Sequence, residues 1–247
     1  LSPKLGIVYQ PLLHKVSVFG NLMNGFTNLA PTNVSDISGN NPTLKIFKPE
    51  QANQWEIGAK ANVYQERISI TASYYSIVVS NKTMPDPNNV NNVIQGGQVE
   101  SKGIEFSVIT NPLEGLSIIA GVSHNKNTVT KDAKDGGYLG LRTEEAGPAN
   151  LINFWANYKC QQACLKGFSV GLGGNYAGEH KTLHRDNIGT FTLPSYTVVN
   201  GLIAYATNLY SLNLKIDNIG NVKYYSGWST VTPQRLRTIS LGCTYKF

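Results

Sequence analysis

The chain has 247 residues and a net charge of +6, with 41% hydrophobic and only 15% charged residues. A soluble domain carries about 25% charge, and here uncharged polar residues (Asn, Ser, Thr, Gly and 13 Tyr) fill the gap. No run of ~18 apolar residues exists, which excludes a membrane-spanning helix, and the Gly, Pro and Asn content excludes a coiled coil. Tyr, Ile, Val and Leu are too frequent for disorder, and Lys and Arg are scattered singly, with no run of four, which argues against nucleic acid.

In chain order, Leu5–Gln10 and Val16–Asn24 open a series of strand signals. Trp55, Ile57, Ala59, Ala61 and Val63 then alternate with Glu56, Gly58, Lys60 and Asn62. Ile68, Ile70, Ala72 and Tyr74 alternate with Ser69, Thr71 and Ser73, and Ile104, Phe106 and Val108 with Gly103, Glu105 and Ser107. The same period continues through Leu116–Ser123, Ile152–Tyr158, Phe168–Gly173, Tyr196–Ala206 and Leu212–Asp217 to Thr238–Phe247. Period-2 alternation marks strands with one apolar face. The reading is eleven strands of about 9–12 residues and no helix.

The connections alternate between short and long. Short turns fall at Pro11–Lys15, Gln65–Arg67, Asn111–Gly115, Lys159–Gly167 and Thr207–Tyr210, and long loops at roughly 27–53, 80–97, 126–149, 178–195 and 219–236. A soluble sandwich has no reason to sort its loops this way, whereas a transmembrane β-barrel has short periplasmic turns and long extracellular loops. The fold class expected is all-β, an antiparallel transmembrane β-barrel meander. Tyr9, Phe19, Trp55, Tyr64, Tyr74, Tyr158, Tyr176, Tyr196, Tyr205 and Tyr245 sit near strand ends, as interface girdles do. Eleven is odd, and an odd antiparallel set would leave unpaired edges in lipid. The expectation is half of a 22-strand barrel around a plugged lumen.

Several motifs carry a family resemblance. Phe47-Lys48-Pro49-Glu50 leads into Trp55-Glu56-Ile57-Gly58-Ala59-Lys60, and Ser101-Lys102-Gly103-Ile104-Glu105 starts a strand. Pro194-Ser195-Tyr196-Thr197-Val198-Val199-Asn200, Asn218-Ile219-Gly220-Asn221-Val222-Lys223-Tyr224-Tyr225 and the terminal Tyr245-Lys246-Phe247 follow in order. Together they resemble the C-terminal half of the β-barrel of a TonB-dependent outer-membrane receptor of the siderophore-receptor group. Pro49 suits a position before a ladder begins, and Asn218 and Asn221 suit a tight turn. Gly58 and Gly103 fall on the lumen side, where a missing side chain leaves room for a neighbouring backbone or a plug.

The resemblance implies a bacterial outer-membrane location and active transport of a ferric siderophore, the ligand transported and not a cofactor. Residues 1–247 would be barrel wall and vestibule loops, without the plug domain. Implied partners are outer-membrane lipid, the TonB inner-membrane complex acting through the plug, and the barrel-assembly machinery reading the strand that ends at Phe247. Aromatic rings pack on chelate shells and cations offset their charge. The vestibule candidates are therefore Tyr138, Arg142, His180, His184, Arg185, Tyr224, Tyr225, Trp228 and Arg235.

Rival readings are a passive porin or adhesin barrel, or a TonB-dependent receptor for cobalamin, haem or a glycan. A metal pair at His180 and His184 is not expected, because i and i+4 do not converge off a helix. His14 and His124 have no evident partner. An enzyme is not expected, since Ser229, His184 and Asp186 have no spacing that fixes a triad and no G-x-S-x-G element is present. Cys160 and Cys164 are either a small disulfide or two thiols, and Cys243 is left over.

Overall fold

The computed structural model describes residues 2–36, 38–134, 136–162, 165–185 and 189–247, the side chains of Val90 and Arg185 excepted. The strands are β1 (Lys4–Leu12), β2 (Val16–Thr27), β3 (Thr32–Val34), β4 (Thr43–Lys45), β5 (Glu50–Val63), β6 (Ile68–Asp86), β7 (Asn89–Thr110) and β8 (Leu116–Lys131). A 3-10 turn at Glu144–Ala146 precedes β9 (Asn150–Lys159), β10 (Phe168–Ala177), β11 (His180–Arg185), β12 (Gly189–Leu193), β13 (Tyr196–Ala206), β14 (Tyr210–Asp217), β15 (Tyr225–Ser226), β16 (Thr232–Pro233) and β17 (Thr238–Tyr245).

Eleven of these form one sheet in the order β1-β2-β5-β6-β7-β8-β9-β10-β13-β14-β17. Every neighbouring pair is antiparallel, so the sheet is a meander, a partial barrel with edges at β1 and β17. The remaining strands form three two-stranded sheets, β3-β4, β11-β12 and β15-β16, all within the long connections.

The register assigns the faces. Val18, Ala59, Ala72, Phe106, Val122 and Ile152 are successive cross-strand partners and form one apolar row. One residue along, Ser17, Lys60, Thr71, Ser107, Gly121 and Asn153 form a polar row. The apolar rows meet lipid and the polar rows meet the lumen, as in a barrel wall. Large apolar side chains stay exposed on the first face, Ile57 at 54% and Ile104 at 56%, because their solvent is hydrocarbon.

The short-turn end carries an aromatic belt. The Phe168 and Tyr205 ring centroids are 4.6 Å apart, and those of Tyr205 and Tyr210 6.1 Å. At the other end Trp55 and Tyr74 pack at 5.4 Å. Nine residues separate Trp55 from Tyr64; at ~3.4 Å per residue and a ~40° tilt that spans ~23 Å, close to the apolar band of an outer-membrane barrel.

Phe19 differs from the expectation. It pairs with Gly58 on the lumen face and is not a girdle residue. A methyl group at Gly58 would collide with the Phe19 ring and lie 2.8 Å from the Ala72 carbonyl oxygen. At Gly103 it would collide with the His124 carbonyl and lie 2.9 Å from Tyr75 Oη. Both glycines thus clear space on the lumen wall for an aromatic ring from the next strand.

The 80–97 segment also departs from its reading as a loop. β6 and β7 run on through it to Asp86 and Asn89 as a hairpin that rises past the wall. Register shifts at Ser80, Lys82 and Pro85 bend it. The buried apolar cluster of Met84, Val99 and Val129 lies at this outer end, with Tyr138 packed against it.

Overpacking costs about 1–3 kcal/mol. Gly103→Val in the full-length receptor is expected to lower stability by about that amount, read as an earlier urea midpoint for loss of the heat-modifiable band. An unchanged midpoint would show that the Tyr75 ring and the His124 backbone give way freely.

Candidate functional site

The long connections do not hang free. The Phe47-Lys48-Pro49-Glu50 motif is bolted to the raised β6–β7 hairpin. Lys48 N donates to Gln95 Oε1 at 2.9 Å and the Lys48 carbonyl accepts from Gln95 Nε2 at 2.6 Å. Glu50 Oε1 accepts from both Thr83 N (3.0 Å) and Thr83 Oγ1 (3.2 Å). Asn92, only 6% exposed, donates to the Ser35 carbonyl at 2.6 Å and accepts from Ser35 N at 3.1 Å. Motif residues thus serve as fasteners between the first long loop and the hairpin.

A second set ties the β8–β9 connection to the wall. Arg142 donates through Nη1 to the Asn125 carbonyl (2.9 Å), through Nη2 to Asn125 Oδ1 (3.1 Å) and the Ala146 carbonyl (3.4 Å), and through Nε to the Gly147 carbonyl (3.0 Å). One guanidinium fork thereby satisfies the carbonyls at the end of the 3-10 turn and anchors them to β8. Asn125 continues inward, its Nδ2 donating to Tyr75 Oη and Ser101 Oγ, each at 2.8 Å. Burial lowers the Arg142 pKa from its ordinary value, and the Tyr75 phenol offsets part of that. The guanidinium stays charged, since an arginine starts so far above neutral pH. Ion pairs Lys82–Glu145 (3.2 Å) and Lys134–Asp86 (3.9 Å) clamp the same connection to the hairpin.

Between these clamped segments lies a cavity of about 310 Å³. The hairpin supplies Met84 and Val99, β8 Val129, the β8–β9 connection Tyr138 and Arg142, β11 His184, and the β14–β17 connection Trp228. Val99 and Val129 are register partners on the lumen side, so the cavity sits over the lumen at the outer mouth. Its floor is apolar, and Arg142, Glu144, Glu145 and Lys82 bring charge to its rim. Four of the nine sequence candidates, Tyr138, Arg142, His184 and Trp228, meet here.

Of the other five, Tyr224, Tyr225, Arg235 and His180 are not in its lining among the described residues. Tyr224 packs on Tyr196 with centroids 4.4 Å apart, holding its loop to the start of β13. Tyr225 lies in β15, 44% exposed. Arg235 lends its carbonyl to Asn218 Nδ2 at 3.3 Å. Arg185 pairs with Gly189 at the tip of the β11–β12 hairpin. His180 starts β11 opposite Leu193. An irregularity between Lys181 and Leu183 shifts the register, so His180 and His184 take opposite faces of the hairpin. On a regular strand they would share one.

His184 N donates to Glu144 Oε1 at 3.2 Å, and its Nε2 lies 3.1 Å from Lys181 Nζ. An ammonium only donates, so Nε2 is the acceptor in that contact, and Nδ1 is buried with no hydrogen-bond partner among the described residues. Among the described residues no three His, Cys, Asp or Glu side chains gather as a metal site. Cys164 and Asp186 lie outside the described residues, while Cys160 is half-buried beyond β9.

The motif reading around Asn218 acquires a mechanism. Asn218 is 2% exposed with φ 55°, and Asn221 has φ 51°, the left-handed region that asparagine tolerates. Asn218 Oδ1 accepts from Val222 N at 2.9 Å, and its Nδ2 donates to the Val222 carbonyl at 2.9 Å. That side chain, together with the backbone bond from Asn221 N to the Asn218 carbonyl (2.8 Å), closes the turn that launches the last long loop.

Sequence reasoning did not single out Lys82, Met84, Glu144 or Glu145, all of which line the cavity. The Glu144-Glu145 pair before Gly147 was the available signal.

The family model described as TonB dependent receptor-like, beta-barrel matches residues 1–219. The chain is 26% identical over 254 residues to the metal-pseudopaline receptor CntO of Pseudomonas aeruginosa, covering 99% of this chain and 33% of that protein. It is 26% identical to the ferrioxamine B receptor of Salmonella typhimurium, over 83% of this chain and 28% of that one. To the catecholate siderophore receptor Fiu of Escherichia coli it is 27% identical, over 76% and 24%.

Among solved structures, the ferripyoverdine receptor of the Pseudomonas aeruginosa outer membrane, bound to ferripyoverdine, superposes with a TM-score of 0.78 at 20% identity. It covers 100% of this chain and 33% of that one. The ferric-catecholate import receptor Fiu from Escherichia coli gives 0.77 at 24%, over 99% and 34%. The chain spans a third or less of the curated relatives it matches. The outward apolar rows, the sorted turns and the family match agree: this chain belongs to the TonB-dependent receptor-like β-barrel family of the outer membrane.

Proposed function

We propose that this chain is the C-terminal half of the barrel of an active-transport receptor for a ferric siderophore, and that it forms wall and outer vestibule. The observation that carries this reading is the clamped cavity over the lumen, where Tyr138, His184 and Trp228 converge on an apolar floor with Arg142 at its rim. Relatives named for ferrioxamine B and for catecholate siderophores support the ligand class.

In this reading the eleven strands are half of a 22-strand wall. A plug domain fills the lumen, and the TonB inner-membrane complex acts on that plug to release ligand inward. The strand ending at Phe247 addresses the barrel-assembly machinery.

Mechanistically the wall residues do two jobs. Tyr138 and Trp228 offer flat aromatic surface to the organic shell of a chelate. The hydrogen bonds of Arg142 and the two ion pairs hold the surrounding loops in place, so little ordering entropy is spent on capture. No bond is made or broken by the protein; the wall binds and confines.

A strain lacking the full-length receptor is expected to lose growth on one ferric chelator under iron limitation and to regain it on complementation. Unchanged growth on every chelator, with lost uptake of cobalamin, haem or a glycan, would move the ligand to that class. Trp228→Ala is expected to raise the half-saturating chelate concentration about tenfold, equivalent to about 1.4 kcal/mol.

Arg142→Gln tests the scaffold separately. Each lost hydrogen bond is worth about 0.5–1.5 kcal/mol. Amide exchange across residues 138–149 should therefore quicken at least tenfold in the ligand-free receptor. Exchange at the wild-type rate would mean that the loop is held by other contacts.

A further inference from the structure

The surplus positive charge of the chain does not sit over the mouth of the barrel. The net charge is +6, yet the stretches 27–53, 80–97, 126–149 and 178–195 each contain as many acidic as basic residues. Only the stretch 219–236 is one-sided, with Lys223 and Arg235 and no acid. Both of these are exposed, and neither lines the vestibule cavity among the described residues.

The cavity repeats that balance. With His184 neutral at pH 7, its charged lining residues are Lys82 and Arg142 against Glu144 and Glu145. Lys82 Nζ already faces Glu145 Oε1 at 3.2 Å. Lys134, on the same connection, faces Asp86 at 3.9 Å. Arg142 has Glu144 two residues further on, at the start of the 3-10 turn. Beneath this rim Met84, Val99, Val129, Tyr138 and Trp228 offer mostly apolar surface.

An anion entering such a site meets a cost from two sides. Its own desolvation is expensive unless a counter-charge replaces the lost water. A lysine held by a carboxylate supplies that counter-charge only by leaving the carboxylate unpaired. An uncharged ligand incurs neither cost and gains from apolar contact. Ferric chelates divide on this property. Three doubly deprotonated catecholates leave the complex triply negative, whereas three hydroxamate monoanions neutralise the ferric ion.

We infer that the vestibule selects a ferric chelate of no net charge, the trihydroxamate class, over a multiply anionic tris-catecholate, with the Lys82–Glu145 pair setting the preference by keeping the rim neutral. The inference rests on the vestibule reading above and narrows its ligand. Tyr138, Trp228 and the Met84 thioether pack on the methylene and amide shell of the chelate. The rim pair acts by withholding a counter-charge from the wrong ligand, not by bonding the right one.

The test holds one chelate core and varies its charge. The probes for calorimetry on the full-length receptor in detergent are ferrioxamine B acetylated on its free amine, which is uncharged, and the same core succinylated there, which is negative. Ferric enterobactin is the triply negative catecholate. Wild type is expected to bind the acetylated probe about tenfold tighter than ferric enterobactin and about threefold tighter than the succinylated probe. Glu145→Gln leaves Lys82 without its carboxylate and should lower the ratio of the enterobactin Kd to the acetylated-probe Kd by about threefold. Lys82→Met leaves the acid alone and should raise that ratio. A pair that only held the loops together would move both ratios in one direction or neither, and that result would overturn the proposal. So would equal affinity along the charge series, or tighter binding of ferric enterobactin. Binding of cobalamin or haem with no ferric chelate bound is a different failure, which removes the vestibule reading itself and this preference with it.

Discussion

In hydrocarbon a backbone N–H or C=O without a partner costs several kcal/mol, and no water is present to supply one. The eleven-strand antiparallel ladder answers that constraint, and the rest of the chain follows from it. Because the ladder has two faces in two solvents, side chains must alternate. Because one solvent is lipid, the apolar half needs no protein interior. The wall accordingly has almost no core, and its buried apolar cluster is displaced to Met84, Val99 and Val129 at the outer mouth, where loops rather than lipid cover it. Low charge and modest hydrophobicity are consequences of the same geometry: every second residue faces lipid, and the others are small and polar.

The alternation and the sorting of turns made the wall legible from residues alone, since period and loop length are one-dimensional properties. What was not legible depends on partners. Residues 81–97 are rich in Asn, Gln and Gly and carry the signature of a loop, yet they continue β6 and β7. The polar side chains that spoil the pattern are the ones fastening neighbouring loops: Asn92 holds Ser35 and Gln95 holds Lys48. Phe19 reads as a girdle ring until its register partner is known to be Gly58. His180 and His184 share a face only on a regular strand, and the irregularity beside Thr182 has no sequence signal strong enough to announce it. In the candidate site, residue type found Tyr138, Arg142, His184 and Trp228, while the acidic rim at Glu144 and Glu145 came only with the fold.

Arg142 shows what the fold adds to residue type. A cation in an outer loop invites the reading of an anion trap. Its guanidinium, however, already donates to three backbone carbonyls and one side-chain oxygen, and those bonds connect a 3-10 turn to Asn125 and through it to Tyr75 and Ser101. Glu144, within that turn, accepts in turn from His184 N on the next hairpin. A continuous polar chain thus runs from the lumen wall to two outer connections. Such a network positions the apolar surfaces around it, and four donor contacts of the guanidinium are engaged in that work.

A single strand illustrates how much one register decides. Along β7, Ser101, Gly103 and Glu105 turn to the lumen, with Gly103 yielding space to the Tyr75 ring. Interleaved with them, Lys102, Ile104 and Phe106 turn to lipid, with Lys102 set against Lys126. A slip of one residue would carry Glu105 into hydrocarbon and Phe106 into the lumen, exchanging both surfaces at once. The lumen-side hydrogen bonds and the lipid-facing apolar surface are therefore not separable inventions on a neutral support. Each is the other's reverse side, and a substitution that preserves β7 pairing but changes one face leaves the chemistry of the opposite face intact.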